Sequence, residues 1–265
     1  MEVKYLENLL TNSQKTYELF KKGNVLNSST LKEMFTPKYI YKGDTPNTVL
    51  VKSLKTNKPV KVFWKDKGKQ HGEQRLYDYW FYDKNNQYIG EKSFCIESFP
   101  VPPGAEKEMI AGYMSSDAND MYIGLGVREE ELQVKKALEN DINIIPRSAL
   151  GPATLYHIKM GYLPKTDDLL EVQSENEVNF HMNGIRRKSP DIREKNFTPI
   201  ITKEGDKYYI DVNLTQAVAN VKEIKDRLAE GETKKEIGNL DMEGIPMSLS
   251  GKEFEYWKNL IINSN

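Results

Sequence analysis

The chain has 265 residues, enough for one large domain or two smaller ones. Its 38 basic and 39 acidic residues leave a formal net charge of −1, which excludes a general electrostatic pull toward nucleic acid or an anionic membrane. A single cysteine, Cys95, excludes an intrachain disulfide framework, and no run of about 18 apolar residues suggests a membrane span.

The first 20 residues, MEVKYLENLLTNSQKTYELF, lack the uninterrupted apolar core of a signal peptide. A cytoplasmic location is therefore expected, with secretion by a route that needs no such peptide left open. Residues 3–22 predict a helix: Leu6, Leu9, Leu10, Tyr17 and Phe20 fall roughly on one stripe, and Gly23 suits its end. Thr30 and Glu33 stand at capping-box spacing for a second, short helix, which Pro37 stops. Residues 1–39 are thus read as a helical arm.

From about residue 48 the period changes to two. NTVLVKSL and KPVKVFWKD predict strands joined by a turn at Thr56 and Asn57, and GKQHGEQ a polar loop. RLYDYWFYDKNNQYIGEKSFCIE predicts a β-hairpin turning at Asn85 and Asn86. Large aromatics on both of its faces suggest a central place in a sheet. ESFPVPPGAEKEM reads as a loop. DMYIGLGVREEE reads as a strand running into an acidic helix start, with ELQVKKALEND as about three helical turns. INIIPRS predicts a short buried strand, GPATLYHIKMGYLP a short helix closed near Gly161, and LLEVQ a further strand.

Residues 173–195 are polar and read as a loop or linker. FTPIITKEGDKYYIDV predicts a second hairpin turning at Gly205 and Asp206. In NLTQAVANVKEIKDRLAEG the residues Leu214, Val218, Val221, Ile224 and Leu228 step by helical intervals. SGKEFEYWKNLI predicts a last helix, with Ser250 and Glu253 at capping-box spacing.

These elements predict an α/β (α+β) fold. The segment from about 76 to 165, roughly a third of the chain, resembles the GNAT superfamily of N-acetyltransferases. QYIGEKSF is similar to that family's third strand and MYIGLGV to its fourth. Ala153, His157 and the pair Gly161-Tyr162 fall at the spacing of its last motif. The resemblance implies a GNAT-like mixed sheet flanked by helices over residues 40–172. Residues 173–195 then link it to a C-terminal hairpin-plus-helices extension over 196–265.

The resemblance further implies acetyl-CoA as cofactor, held near Gly126 and Val127, and a general acid at His157 or its neighbour Tyr156. Two departures bear on this. The family's Arg/Gln-x-x-Gly-x-Gly/Ala phosphate loop has no counterpart, because no glycine occurs between Gly126 and Gly151. Glu129, Glu130 and Glu131 stand where an anion would bind. The family's usual acid is a tyrosine; here His157 takes its position. Tyr156 lies about 100° away around a helix.

The expectation is an acetyltransferase-like protein that has lost ordinary acetyl-CoA binding and acts as a binding or interaction module. Its partner would be an unknown protein or small molecule. The alternatives are an atypical acyltransferase using acetyl-CoA or another acyl donor, and an unrelated α+β protein. No metal is expected, because His71, His157 and His181 share no ligand spacing. Cys95 reads as a small core residue, GLG lacks the rest of a dinucleotide fingerprint, and IRRK at 185–188 reads as a solvated loop or a phosphate grip.

Overall fold

The computed structural model describes residues 2–24, 47–71, 74–97, 109–110, 114–115 and 122–264. In chain order the described elements begin with α1 (Glu2–Asn24), β1 (Thr48–Ser53), β2 (Pro59–Asp66), β3 (Gln70–His71), β4 (Gln74–Tyr82) and β5 (Tyr88–Glu97). Then come β6 (Met109–Ile110), β7 (Met114–Ser115), β8 (Tyr122–Ile123), α2 (Leu125–Glu139), β9 (Ile145–Ala149) and α3 (Thr154–Lys159). The chain continues through β10 (Leu163–Pro164), β11 (Leu169–Val172), α4 (Glu175–Arg187), β12 (Ile201–Glu204), β13 (Lys207–Asp211) and α5 (Val212–Ala229). It closes with α6 (Lys234–Gly238), β14 (Ile245–Leu249) and α7 (Gly251–Ser264). The protein is therefore of the mixed α/β class. The expected capping box at Thr30 and Glu33 lies outside the described residues.

The chain divides into two compact units. One takes its residues from Met1–Asn27 and Ser148–Ser248, the other from Ser28–Arg147 and Leu249–Asn265. The sequence predicts an arm over 1–39, a domain over 40–172, a linker over 173–195 and an extension over 196–265.

The second unit is built on an antiparallel sheet in the order β6-β5-β4-β2-β1-β8. Turn chemistry sets its register. Asn57 (φ 55°) and Asn86 (φ 62°) take the left-handed conformation that asparagine tolerates better than most residues. The Asp83 carboxylate accepts from the backbone N–H groups of Asn85 and Gln87, both at 2.8 Å. β4 and β5 then pair from Gln74↔Glu97 to Tyr82↔Tyr88, with one irregularity beside Phe81. Alternation puts Tyr79, Phe81, Phe94 and Ile96 in the core, where Trp64, Tyr77, Tyr79 and Phe94 make edge and stacked ring contacts. α2 packs against β1, β5 and α7.

The expected strand DMYIGLGV is short among the described residues. β8 holds only Tyr122 and Ile123, and Gly124 turns the chain at φ 90° into α2. Gly126 and Val127 therefore lie in the first turn of a helix and not at a strand end. β8 pairs with β1, antiparallel, and β9 is not part of that sheet.

The first unit gathers α1, α3, α4, α5 and α6 around the small sheet β11-β13-β12. The N-terminal helix is tied in by Ser13: its buried hydroxyl accepts from the Ile201 N–H at 2.8 Å and donates to the Leu9 carbonyl at 2.8 Å. The hairpin turns at Gly205, φ 59°. α5 buries Leu214, Val218, Val221 and Ile224 as its periodicity predicts, while Leu228 stays exposed.

Residues 173–195 are not a linker throughout. They contain α4, started by the Ser174 hydroxyl, which accepts from the Glu177 N–H at 3.3 Å. Glu175 and Glu177 occupy its first turn and Arg186 and Arg187 its last, which suits the helix dipole. Val178, Met182 and Ile185 form its buried stripe. No described helix is long and apolar enough to cross a membrane.

Candidate functional site

α2 carries an unusual load. Its buried residues include the apolar Leu125, Val127, Val134 and Ala137, but also Arg128, Glu129, Glu130, Glu131 and Gln133. Carboxylates are almost never fully buried unless paired. The partners Lys92 and Arg147 belong to the same unit as α2. On β5, Lys92 takes an inward position beside Phe94 and Ile96 and is wholly buried. On β9, Arg147 takes the inward position next to Ile145.

Glu130 is the hub. Lys92 Nζ donates to Glu130 Oε2 at 3.0 Å, with neither side chain exposed. Arg147 Nη2 lies 3.4 Å from both Glu130 oxygens and donates to Gln133 Oε1 at 2.8 Å. Burial pulls the Lys92 ammonium down to about 8, against the pull of Glu130 in the other direction. A second set satisfies Glu131. Arg128 Nη1 and Lys135 Nζ each stand 2.6 Å from it, and Arg128 Nε donates to the Leu50 carbonyl of β1 at 3.2 Å.

Glu129 differs from both neighbours. It is fully buried, and neither carboxylate oxygen has a hydrogen-bond partner. Burial pushes its carboxyl up to about 8; Glu130 adds to this, and Lys92 and Arg147 oppose it. Glu129, Glu130, Lys92, Arg147 and Gln133 thus form a dry acid–base constellation. Perturbed groups of this kind cluster at functional sites. Sequence reading took the glutamates only as an obstacle to anions. The signal it passed over was Lys92, a charge set in the inward alternation of Gly90, Phe94 and Ile96.

The other expected residues lie in the first unit, on α3. His157 is buried and Tyr156 half-buried. The end of α3 explains the Gly-aromatic pair in local terms. Tyr162 N–H donates to the His157 carbonyl and Gly161 N–H to the Ile158 carbonyl, each at 3.0 Å, with Gly161 at φ 94°. This is a Schellman cap: the glycine supplies the left-handed residue, and the residue after it returns to pack on the last turn. The Tyr162 ring meets the His157 imidazole edge-on, centroids 5.6 Å apart, and the Tyr156 ring also meets it edge-on, at 5.2 Å.

Gly126 and Val127 are adjacent at the start of α2, in the other unit; Val127 is buried and Gly126 half-buried. Gly124 is the N-cap residue of α2, so no side chain caps the start of that helix. Cys95 is half-buried on β5. Arg186 and Arg187 of the IRRK run belong to the last turn of α4. Among the described residues no group of three or more His, Cys, Asp or Glu side chains is placed to hold a metal ion.

One more carboxylate stands out in the first unit. Asp211 caps α5 by accepting from the Leu214 N–H at 2.9 Å, while its second oxygen is buried without a partner. Burial first, then Asp168 and Asp167, push it up to about 6, against the capping bond. No family model, curated protein or solved structure matches the chain.

Proposed function

We propose that this chain is an acetyltransferase-like protein that has lost ordinary acetyl-CoA binding and acts as a binding or interaction module. One observation carries the reading. Where the resembling family would hold a pyrophosphate, at the turn from the fourth strand into the following helix, this chain has a tight Gly124 turn and then Glu129, Glu130 and Glu131. All three glutamates are buried, and two of them are committed to internal cations. The first turn of this helix, from Leu125 to Arg128, follows the Gly124 turn directly, with no glycine-rich loop to wrap a phosphate.

The test is thermal denaturation in excess acetyl-CoA. A ligand that binds the folded state stabilises it by RT ln(1 + [L]/Kd). No shift of Tm is expected up to millimolar acetyl-CoA. A shift that grows with the logarithm of its concentration would overturn the reading in favour of an acyltransferase.

A further inference from the structure

Among the described residues the buried acids each meet at least one donor, with one exception. Glu130 faces Lys92 and Arg147, Glu131 faces Arg128 and Lys135, and Glu223 faces Arg193, Asn196 and Arg227. Glu129, in the same turn of α2, is fully buried with both oxygens unpartnered. An ionised carboxylate in such a place loses its hydration and gains no hydrogen bond in return.

The charged groups that act on it are Lys92 from β5, Arg147 from β9 and Glu130 from α2 itself. The two cations attract a negative charge, but both hydrogen-bond elsewhere, to Glu130 and Gln133. Glu130 repels it. Arg128 of α2 is turned to the Leu50 carbonyl of β1 and to Glu131. The buried side of α7, which also packs on α2, consists of Phe254, Trp257 and Ile261. Among the described residues, no charged side chain of α7 or β1 acts on Glu129.

We propose that Glu129 is a proton-operated latch: the folded unit keeps its carboxyl protonated inside the core, and loss of that proton releases the first turns of α2 from β5. A neutral acid needs no counter-ion, so the tight form survives only while the proton stays. In the opened form Glu129 meets water and ionises in the ordinary carboxylate range, near 4.5. Because the closed form holds its proton up to about 8, the opened population rises about tenfold per pH unit between those limits and then levels. Glutamine in place of Glu129 keeps the shape and cannot ionise, so it removes this dependence.

Two measurements on the full chain decide the matter. The first is hydrogen exchange at the α2 amides from pH 5 to 8, corrected for the intrinsic rate, in the wild type and in Glu129→Gln. The wild type is expected to open about tenfold more per pH unit, and the variant by the same amount at every pH. Equal pH dependence in the two proteins overturns the latch. The second needs no variant to fold: a carboxyl-carbon NMR titration of the wild type. A Glu129 signal still in its protonated position at pH 6 supports the proposal, and one that titrates in the ordinary carboxylate range refutes it.

Discussion

Lys92 of β5 and Glu130 of α2 meet at 3.0 Å with neither side chain exposed to solvent. They are 38 residues apart in the chain, and Arg147 reaches the same carboxylate from 17 residues on the other side. A helix that would be acidic and exposed in isolation is thereby held in the core of its unit.

Removing one partner of this pair leaves a buried charge uncompensated. Lys92→Met is expected to cost ~3–5 kcal/mol of unfolding free energy. Lys92→Met combined with Glu130→Gln should recover part of that loss, because the neutral amide carries no desolvated charge and still offers Arg147 an acceptor. Urea denaturation of the two single variants and the double variant measures the coupling. Additive losses would show that the pair is not a unit.

The first unit offers a separate pH test at Asp211. Its raised pKa means that the folded state holds a proton the unfolded state has released. Its contribution is full below about 3.8 and is lost as pH rises through about 6. Asp211→Asn keeps a side-chain acceptor for the Leu214 N–H and cannot ionise. The variant is expected to lose stability less steeply than the wild type between pH 4 and 6. Denaturant midpoints across that range are the readout, and parallel curves would count against the assignment.

Lys92 acts with the opposite sign and in a different window. Its folded pKa, about 8, lies below its ordinary 10.5, so the unfolded state binds more protons between those values. Its contribution to stability therefore rises from pH 8 to 10.5. Together with Glu129, which lowers stability from 4.5 to about 8, it predicts a minimum near pH 8 in the contribution of this cluster. Denaturation of the wild type and of Lys92→Met at pH 8 and pH 10 checks this. The variant should lack the rise.

Gly161 is required by its φ of 94° and by the cap that it forms with Tyr162. Gly161→Ala is expected to cost ~1–2 kcal/mol, the penalty of a left-handed Cβ. Gly151 is required for another reason, since a Cβ there would overlap the side chain and backbone of Met242. Gly151→Ala is expected to lower stability by ~1–3 kcal/mol through overpacking. Thermal melts of the two variants give both values.

The sequence was most legible where local chemistry decides the structure. The turns at Asn57, Asn86 and Gly205 and the alternation of β4 and β5 follow from residue type and period alone. α5 follows from its helical steps. α4 was missed because polar residues crowd residues 173–195, although Ser174 with Val178, Met182 and Ile185 spelled a capped amphipathic turn. The start of α2 was missed because Tyr122–Val127 is one apolar run, and period cannot locate a boundary inside it. The pairing of Lys92, Glu130 and Arg147 was not legible, since only the fold brings those positions together. The Gly161-Tyr162 pair, read first as the mark of a family, is accounted for locally as a helix cap.

The most direct test of the central claim is an amide NMR titration with acetyl-CoA, following the first turn of α2 from Leu125 to Arg128. Those N–H groups are where a pyrophosphate would bind if the helix start were open to it. The account predicts no change in their resonances at millimolar acetyl-CoA. Saturable shifts concentrated on those four residues would contradict it.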